Sequence, residues 1–417
     1  MRKINLIKTL VLIAVLVFGF NLAGCSLPVV YAGYVGEGDG TYRVLEPIMN
    51  AGETITVNKD SFKGLDSYYN AWGMDNIDRF ELWTYDYGHI KGGTREGVVT
   101  IEDNVITAAK SGFTTVLASL YRKGKWEGKN VTFKLDVRVA EIYVINEATM
   151  THITTAQELA DMKNDLGGHY ILKADIDLAD WGEWKAIDNA DKNNQGFTGM
   201  FVNPYGYKIK NLTVSTCETM LNGNVGLFGV LRDRAIVKGI ILEDIFIDVS
   251  DYEGIAATDP LLVGGIWPFG SPTVGGIAAC MGQHSIISDC SVSGTIIGGG
   301  TFTGGIVGAN SAALIMNCTF TGTLKNHKAI LDQMFAVGGI TGVVSEYDRD
   351  LIINCTVVAD IDGGKHASAG GIIGSVYSLG KAVNSSFVGT IVSDRSAGTM
   401  IGYDQHSDGP IDFEESN

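Results

Sequence analysis

The residues of this chain with chemistry to offer are six cysteines, seven histidines and a few grouped carboxylates. None of His89, His152, His169, His284, His327, His366 and His406 is followed by Glu. The His-Glu-x-x-His pattern, which sets two imidazoles and a general base on one helix face, is therefore missing. There is no Cys-x-x-Cys pair, no Gly-x-Ser-x-Gly turn to present a serine nucleophile, and no phosphate-cradling glycine loop. No catalytic residue, metal ligand or cofactor is expected. The nearest thing to a carboxylate centre is Asp175, Asp177 and Asp180, followed by Glu346, Asp348 and Asp350. Clustered acids with calcium and a basic residue would serve polysaccharide cleavage, so a carbohydrate-active lyase or hydrolase stands as the alternative reading. Strand alternation through Ile176 and Leu178 instead turns the first group outward, which predicts a solvated face.

Cys25 is a different case. Residues 1–8 are basic and 9–20 almost continuously apolar, and Leu22-Ala23-Gly24-Cys25 follows. Basic, apolar and small-residue segments in that order predict an export signal over 1–24. The ending resembles the lipobox of bacterial lipoproteins. That resemblance implies that Cys25 becomes the lipidated N-terminus, holding the protein to the extracellular face of a bacterial membrane, with residues 25–45 as a linker. Cys217, Cys280, Cys290, Cys318 and Cys355 are an odd number, so no complete disulfide framework is expected. The net charge of −16 repels phosphate backbones and argues against nucleic acid as a partner.

The cysteines also mark a repeat. Aligned on Cys290, Cys318, Cys355 and Ser385, the chain carries Ile287, Ile315, Ile352 and Ala382 three places before. Val292, Phe320, Val357 and Phe387 lie two places after, and Ile296, Leu324, Ile361 and Ile391 six after, with Gly or Ala between at four. This is strand periodicity with one face turned inward. A strand set returning every 28–37 residues cannot close a core by itself, but stacked copies bury one continuous column. Asn211, Asp289, Asn317, Asn354 and Asn384 sit one place before the anchors and read as left-handed turns. Two earlier copies, around Ile209/Leu212/Val214 and Ile236/Gly239/Ile241, fit less closely. The cysteine column reads as small buried hydrophobes, since Ser385 fills the same slot.

With Gly304-Gly305-Ile306-Val307-Gly308 and its counterparts, these elements resemble the GLUG repeats of bacterial surface proteins, including those N-terminal to IgA1-protease-type metallopeptidases. The protease helix itself is missing here. The resemblance covers about 153–403 and implies a right-handed parallel β-helix over 146–404, with an acidic tail at 405–417. A short capping helix is predicted just before it, with Thr154 and Gln157 as a capping box.

Upstream, residues 46–145 alternate in short β-branched runs such as Thr54–Val57, Val98–Ile101, Thr114–Leu117 and Thr132–Val137. They predict an antiparallel sandwich. Within them Val99-Thr100-Ile101, Val105-Ile106-Thr107-Ala108, Gly112 and Val116 resemble group 2 bacterial immunoglobulin-like domains, which implies a spacer or adhesive module. Tyr68, Tyr69, Trp72, Trp83, Tyr85, Tyr87 and Trp126 crowd this domain and read mainly as packing residues. The expectation overall is an all-β, non-catalytic adhesin or scaffold for a glycan or surface-protein ligand. Candidate contacts are Trp267 and Phe269, in the insertion 252–273; a second insertion spans 325–336.

Overall fold

A repeat copy with a few short strands cannot satisfy its own backbone, so each strand must find partners in the copies before and after. The computed structural model shows this arrangement. It describes residues 48–58, 78–85, 97–126, 129–188, 196–215, 223–251, 273–282, 284–299, 302–326, 335–345, 351–365, 367–377, 380–404 and 409–411. Two compact units meet in sequence between Asn146 and Glu147.

The C-terminal unit is a parallel β-helix. Its fourth coil runs Ile286–Ser288, Ser291–Gly298, Phe302–Gly304 and Val307–Ser311, one strand on each of four faces. Each strand pairs in parallel with its equivalent in the next coil. Face two holds the longest strands. In order these are Ile176–Asp177, Lys208–Lys210, Ile241–Asp248, Ser291–Gly298, Thr319–Asn326, Thr356–Gly364 and Ser386–Ser393, one for each of seven coils. Val292, Phe320 and Val357 share one inward column there, and Ile296, Leu324 and Ile361 another. All six are at most 1% exposed.

The bend into face two is made by one residue. Asp289, Asn317, Asn354 and Asn384 have φ of 56, 54, 54 and 50°, a left-handed conformation that Asn and Asp tolerate. They also bond along the stack: Asn317 Nδ2 donates to Asp289 Oδ1 at 2.9 Å, and Asn354 Nδ2 to Asn317 Oδ1 at 3.2 Å. Lys238 closes the ladder by pairing with Asp289. Burial alone would raise the Asp289 carboxyl, but its bonds to Lys238 and Asn317 prevail and hold it below the usual range.

Asn211 does not belong to that ladder. The two early copies are shifted from the sequence alignment because coil three carries an extra residue: Leu242 pairs with Val292, but Ile245 pairs with Gly294. Asp244 (φ 53°) is the bulged residue, and Asn211 (φ 58°) sits beside it in coil two. Pairing places Val237, Ile240 and Leu242 where Ile236, Gly239 and Ile241 were expected, and moves Ile209 into the column of Leu242.

Glycine permits the corner between faces three and four. A Cβ on Gly305 would lie 2.4 Å from the Phe320 ring and 2.2 Å from Gly339 O. On face two, Gly322 has φ 146°, and a Cβ there would lie 1.9 Å from Gly294 O. Faces three and four are buried on both sides. Val230, Ala279, Cys280, Phe302, Ala309, Ala336 and Val343 form a second small core beside the main one.

The predicted cap is helix α1 (Ala156–Asp161), but its box is one residue later than expected. Thr155, not Thr154, accepts from the Glu158 N–H, and Glu158 reaches back to the N–H groups of both threonines. The register follows the apolar face: Leu159 and Met162 must point into the column, where both are at most 1% exposed.

The N-terminal unit has seven described strands: β1 (Ile48–Asn50), β2 (Thr54–Thr56), β3 (Arg79–Tyr85), β4 (Val99–Glu102), β5 (Val105–Ala108), β6 (Gly112–Trp126) and β7 (Lys129–Ile145). They form two sheets, β1-β7-β6-β3 and β2-β5-β4, around one core that includes Ile106, Val116, Leu120, Ile142 and Val144. Asp103 and Asn104, both at positive φ, make the tight turn joining β4 to β5. Trp83 is half-buried and donates across the strand pair to Ser119 Oγ at 3.1 Å.

The register of face two predicts a contrast between neighbours. Phe320→Ala removes a fully buried ring and should cost about 3–5 kcal/mol, whereas Thr319→Ala on the outer side should stay within about 0.5 kcal/mol. Denaturant titration of the two variants reads the difference, and equal losses would contradict the register.

Candidate functional site

In coils four to seven, faces one and two are joined by two residues; in coil two the same connection is residues 203–207. Asn203 holds this enlarged corner from inside. It is 5% exposed, its Nδ2 donates to Tyr207 O at 2.7 Å and Gly239 O at 2.9 Å, and its Oδ1 accepts the Tyr207 N–H at 3.1 Å. With the base fixed, Tyr205 is carried outward and is 52% exposed. Its hydroxyl donates to Glu147, which also pairs with Lys173. Lys173 Nζ lies 4.2 Å from the centre of the Tyr205 ring, and the Tyr207 ring is 6.0 Å away. The bonds from Lys173 and Tyr205 hold the Glu147 carboxyl below its usual range.

This is a rigid aromatic platform edged by an ion pair. A ring pinned at its hydroxyl offers one face for stacking on an apolar surface, such as the carbon face of a sugar, and the carboxylate accepts hydroxyl hydrogen bonds. An ionised carboxylate cannot donate a proton, and glycoside cleavage needs a second carboxyl as acid. The geometry suits binding. A second exposed ring, Trp181, is 36% exposed and packs 6.2 Å from Trp184, whose indole donates to Leu227 O at 3.3 Å.

The residues singled out from the sequence are distributed differently. Cys25, Trp267 and Phe269 lie outside the described residues, as do Cys217, Glu346, Asp348 and Asp350. In sequence, the insertions 252–273 and 325–336 each fall between a strand of face two and the next strand of face three, and most of their residues lie outside the described ones. Asp175 and Asp177 are exposed, as alternation predicts, and each also accepts hydrogen bonds. Asp175 accepts the Lys208 N–H at 2.8 Å, and Asp177 accepts Asn211 Nδ2 at 2.7 Å and the Ala179 N–H at 2.9 Å. Asp180 is exposed. Among the described residues, no group of three His, Cys, Asp or Glu is placed to hold a metal ion.

Cys280, Cys290, Cys318 and Cys355 are free, buried thiols. Each anchor sulfur donates to the carbonyl two residues back: Cys290 to Ser288 O at 3.2 Å, Cys318 to Met316 O at 3.3 Å and Cys355 to Ile353 O at 3.4 Å. Ser385 does the same to Val383 O at 3.2 Å, which explains why it fits the slot. Burial pushes the Cys280 thiol up to about 12 and the Cys318 thiol well above its ordinary value, so neither is a ready thiolate.

Comparison with known families finds the GLUG motif at residues 299–325. That stretch is one circuit of the helix, from the end of face two in coil four to nearly the same point in coil five. No curated protein matches the chain.

Titration with an aromatic disulfide should therefore find these four thiols unreactive in the folded chain and reactive once denatured. Cys318→Ser, copying Ser385, should cost under about 1.5 kcal/mol. Fast reaction in native buffer would show that the column is open.

Proposed function

We propose that this chain is a non-catalytic, lipid-anchored protein of the bacterial surface whose β-helix acts as an adhesin or scaffold toward a glycan or protein ligand. The Tyr205 corner carries the reading: an exposed ring is held by Glu147 and Lys173 on the stacked coils. The GLUG motif, the equivalent places of the two insertions in the repeat and the Leu22–Cys25 ending support it. In this reading the sandwich is an immunoglobulin-like spacer, and Trp267 and Phe269 add contacts from the larger insertion.

Glycan-array binding by the chain from Cys25 onward tests the ligand side. Tyr205→Ala should weaken retained glycans at least about tenfold, or ~1.4 kcal/mol, with an unchanged melting temperature. Trp267→Ala and Phe269→Ala should weaken them too. Release of new reducing ends or unsaturated sugars from the same glycans would favour the enzymatic alternative. The anchor is tested by Cys25→Ala, which should release the protein into the medium or leave unprocessed precursor. Membrane retention of a fully processed variant would remove the lipoprotein claim.

A further inference from the structure

The two ends of the β-helix are finished differently. At the first coil, α1 and the turn after it cover the column with Leu159 and Met162. At the last, face four carries one further strand beyond coil seven, Gly409–Ile411, antiparallel to Ile401–Asp404. Among the described residues the other three faces stop at coil seven, and their last strands pair on one side only. Ser386–Ser393 is the longest of these edges. Its Ser386 N–H donates back to Cys355 O, so alternation turns the N–H groups of Phe387, Gly389 and Ile391 toward the open side.

The side chains of this edge match its backbone. Phe387 and Ile391 stand in columns that are buried to 1% or less in coils four to six, yet here both are only half-buried. On the outer side Val388 is 62% and Val392 59% exposed, the latter in the column of Lys325 and Asp362. Proteins guard open edges with charge, proline or short length. Ser386–Ser393 has eight residues, no proline and no charge, on a chain of net charge −16.

We propose that this edge is a docking site for an extended peptide segment of a partner protein, which adds as an eighth strand on face two. A row of donors and acceptors at strand spacing is met all at once only by another extended backbone. The columns define its side chains: apolar residues over Phe387 and Ile391, and Gly or Ala between them over Gly389, as Gly294, Gly322 and Ala359 stand in the coils below. A second copy of the same end is a poorer fit. Pairing two such edges on face two would bring both Gly409–Ile411 strands into the same space on face four, whereas one added strand brings face two level with face four.

The test uses the full chain and a fluorescent synthetic peptide of residues 319–326, a strand that already stacks in these columns. Its control has the Phe and Leu each moved one place. The peptide should bind saturably and the control should not. Hydrogen exchange at Phe387, Gly389 and Ile391 should slow at least about tenfold on binding. Ile391→Pro deletes an N–H that faces away from the sheet, and Ile391→Lys sets a charge in the column. Each should weaken binding at least about tenfold, with coil pairing retained by circular dichroism. Equal binding of both peptides, no binding of either, or a concentration-dependent dimer whose edge amides are already protected would overturn the proposal.

Discussion

The hydrogen-bonded contact between one coil and the next is the constraint on which the C-terminal unit depends. Because pairing is parallel and in register, a residue meets its own structural equivalent above and below, so whatever a position demands is demanded repeatedly. The Asn ladder, the cysteine slot and the glycine corner are three solutions to that demand. In the ladder each amide serves its neighbour as well as its own turn. In the slot a small donor caps a carbonyl two residues back, and sulfur or oxygen will do. At the corner the absence of a Cβ at Gly305 makes room for the ring of Phe320, so a glycine on one side of the core and a large residue on the other form a single steric unit.

The same constraint explains the second core between faces three and four. Once the glycine corner folds these faces together, both sides of each strand are enclosed, and residues such as Phe302 and Val343 gain a dry environment that a one-layer coil would not give them. The outer surface available to a ligand is correspondingly concentrated on faces one and two and on the corners. Tyr205 occupies one of those corners, and the exposed valines of Ser386–Ser393 lie at the end of face two.

Alternation and the turn residues make the repeat readable in the sequence, since inward columns such as Val292, Phe320 and Val357 obey a period that only a strand has. The early copies resisted because an extra residue at Asp244 leaves the apolar pattern almost intact while shifting it by one, and only pairing partners reveal a bulge. Thr154 and Thr155 are equivalent as letters; the choice between them was made by which register buries Leu159 and Met162. Tyr205 is not legible as a site in the sequence, because an aromatic beside Pro204 and Gly206 resembles any loop. Its meaning comes from Glu147 and Lys173, brought together only by the stacking of coils one and two.

Successive turn residues are 28 apart from Asp289 to Asn317 and 37 apart from Asn317 to Asn354, yet the strands between them pair without a shift. The difference in length falls between the strands in sequence, chiefly in residues 327–334 and 346–350. A gene for such a rod can therefore gain or lose codons at these points without a frame of reference being lost inside. Selection acting on the exterior is in this way uncoupled from selection for folding.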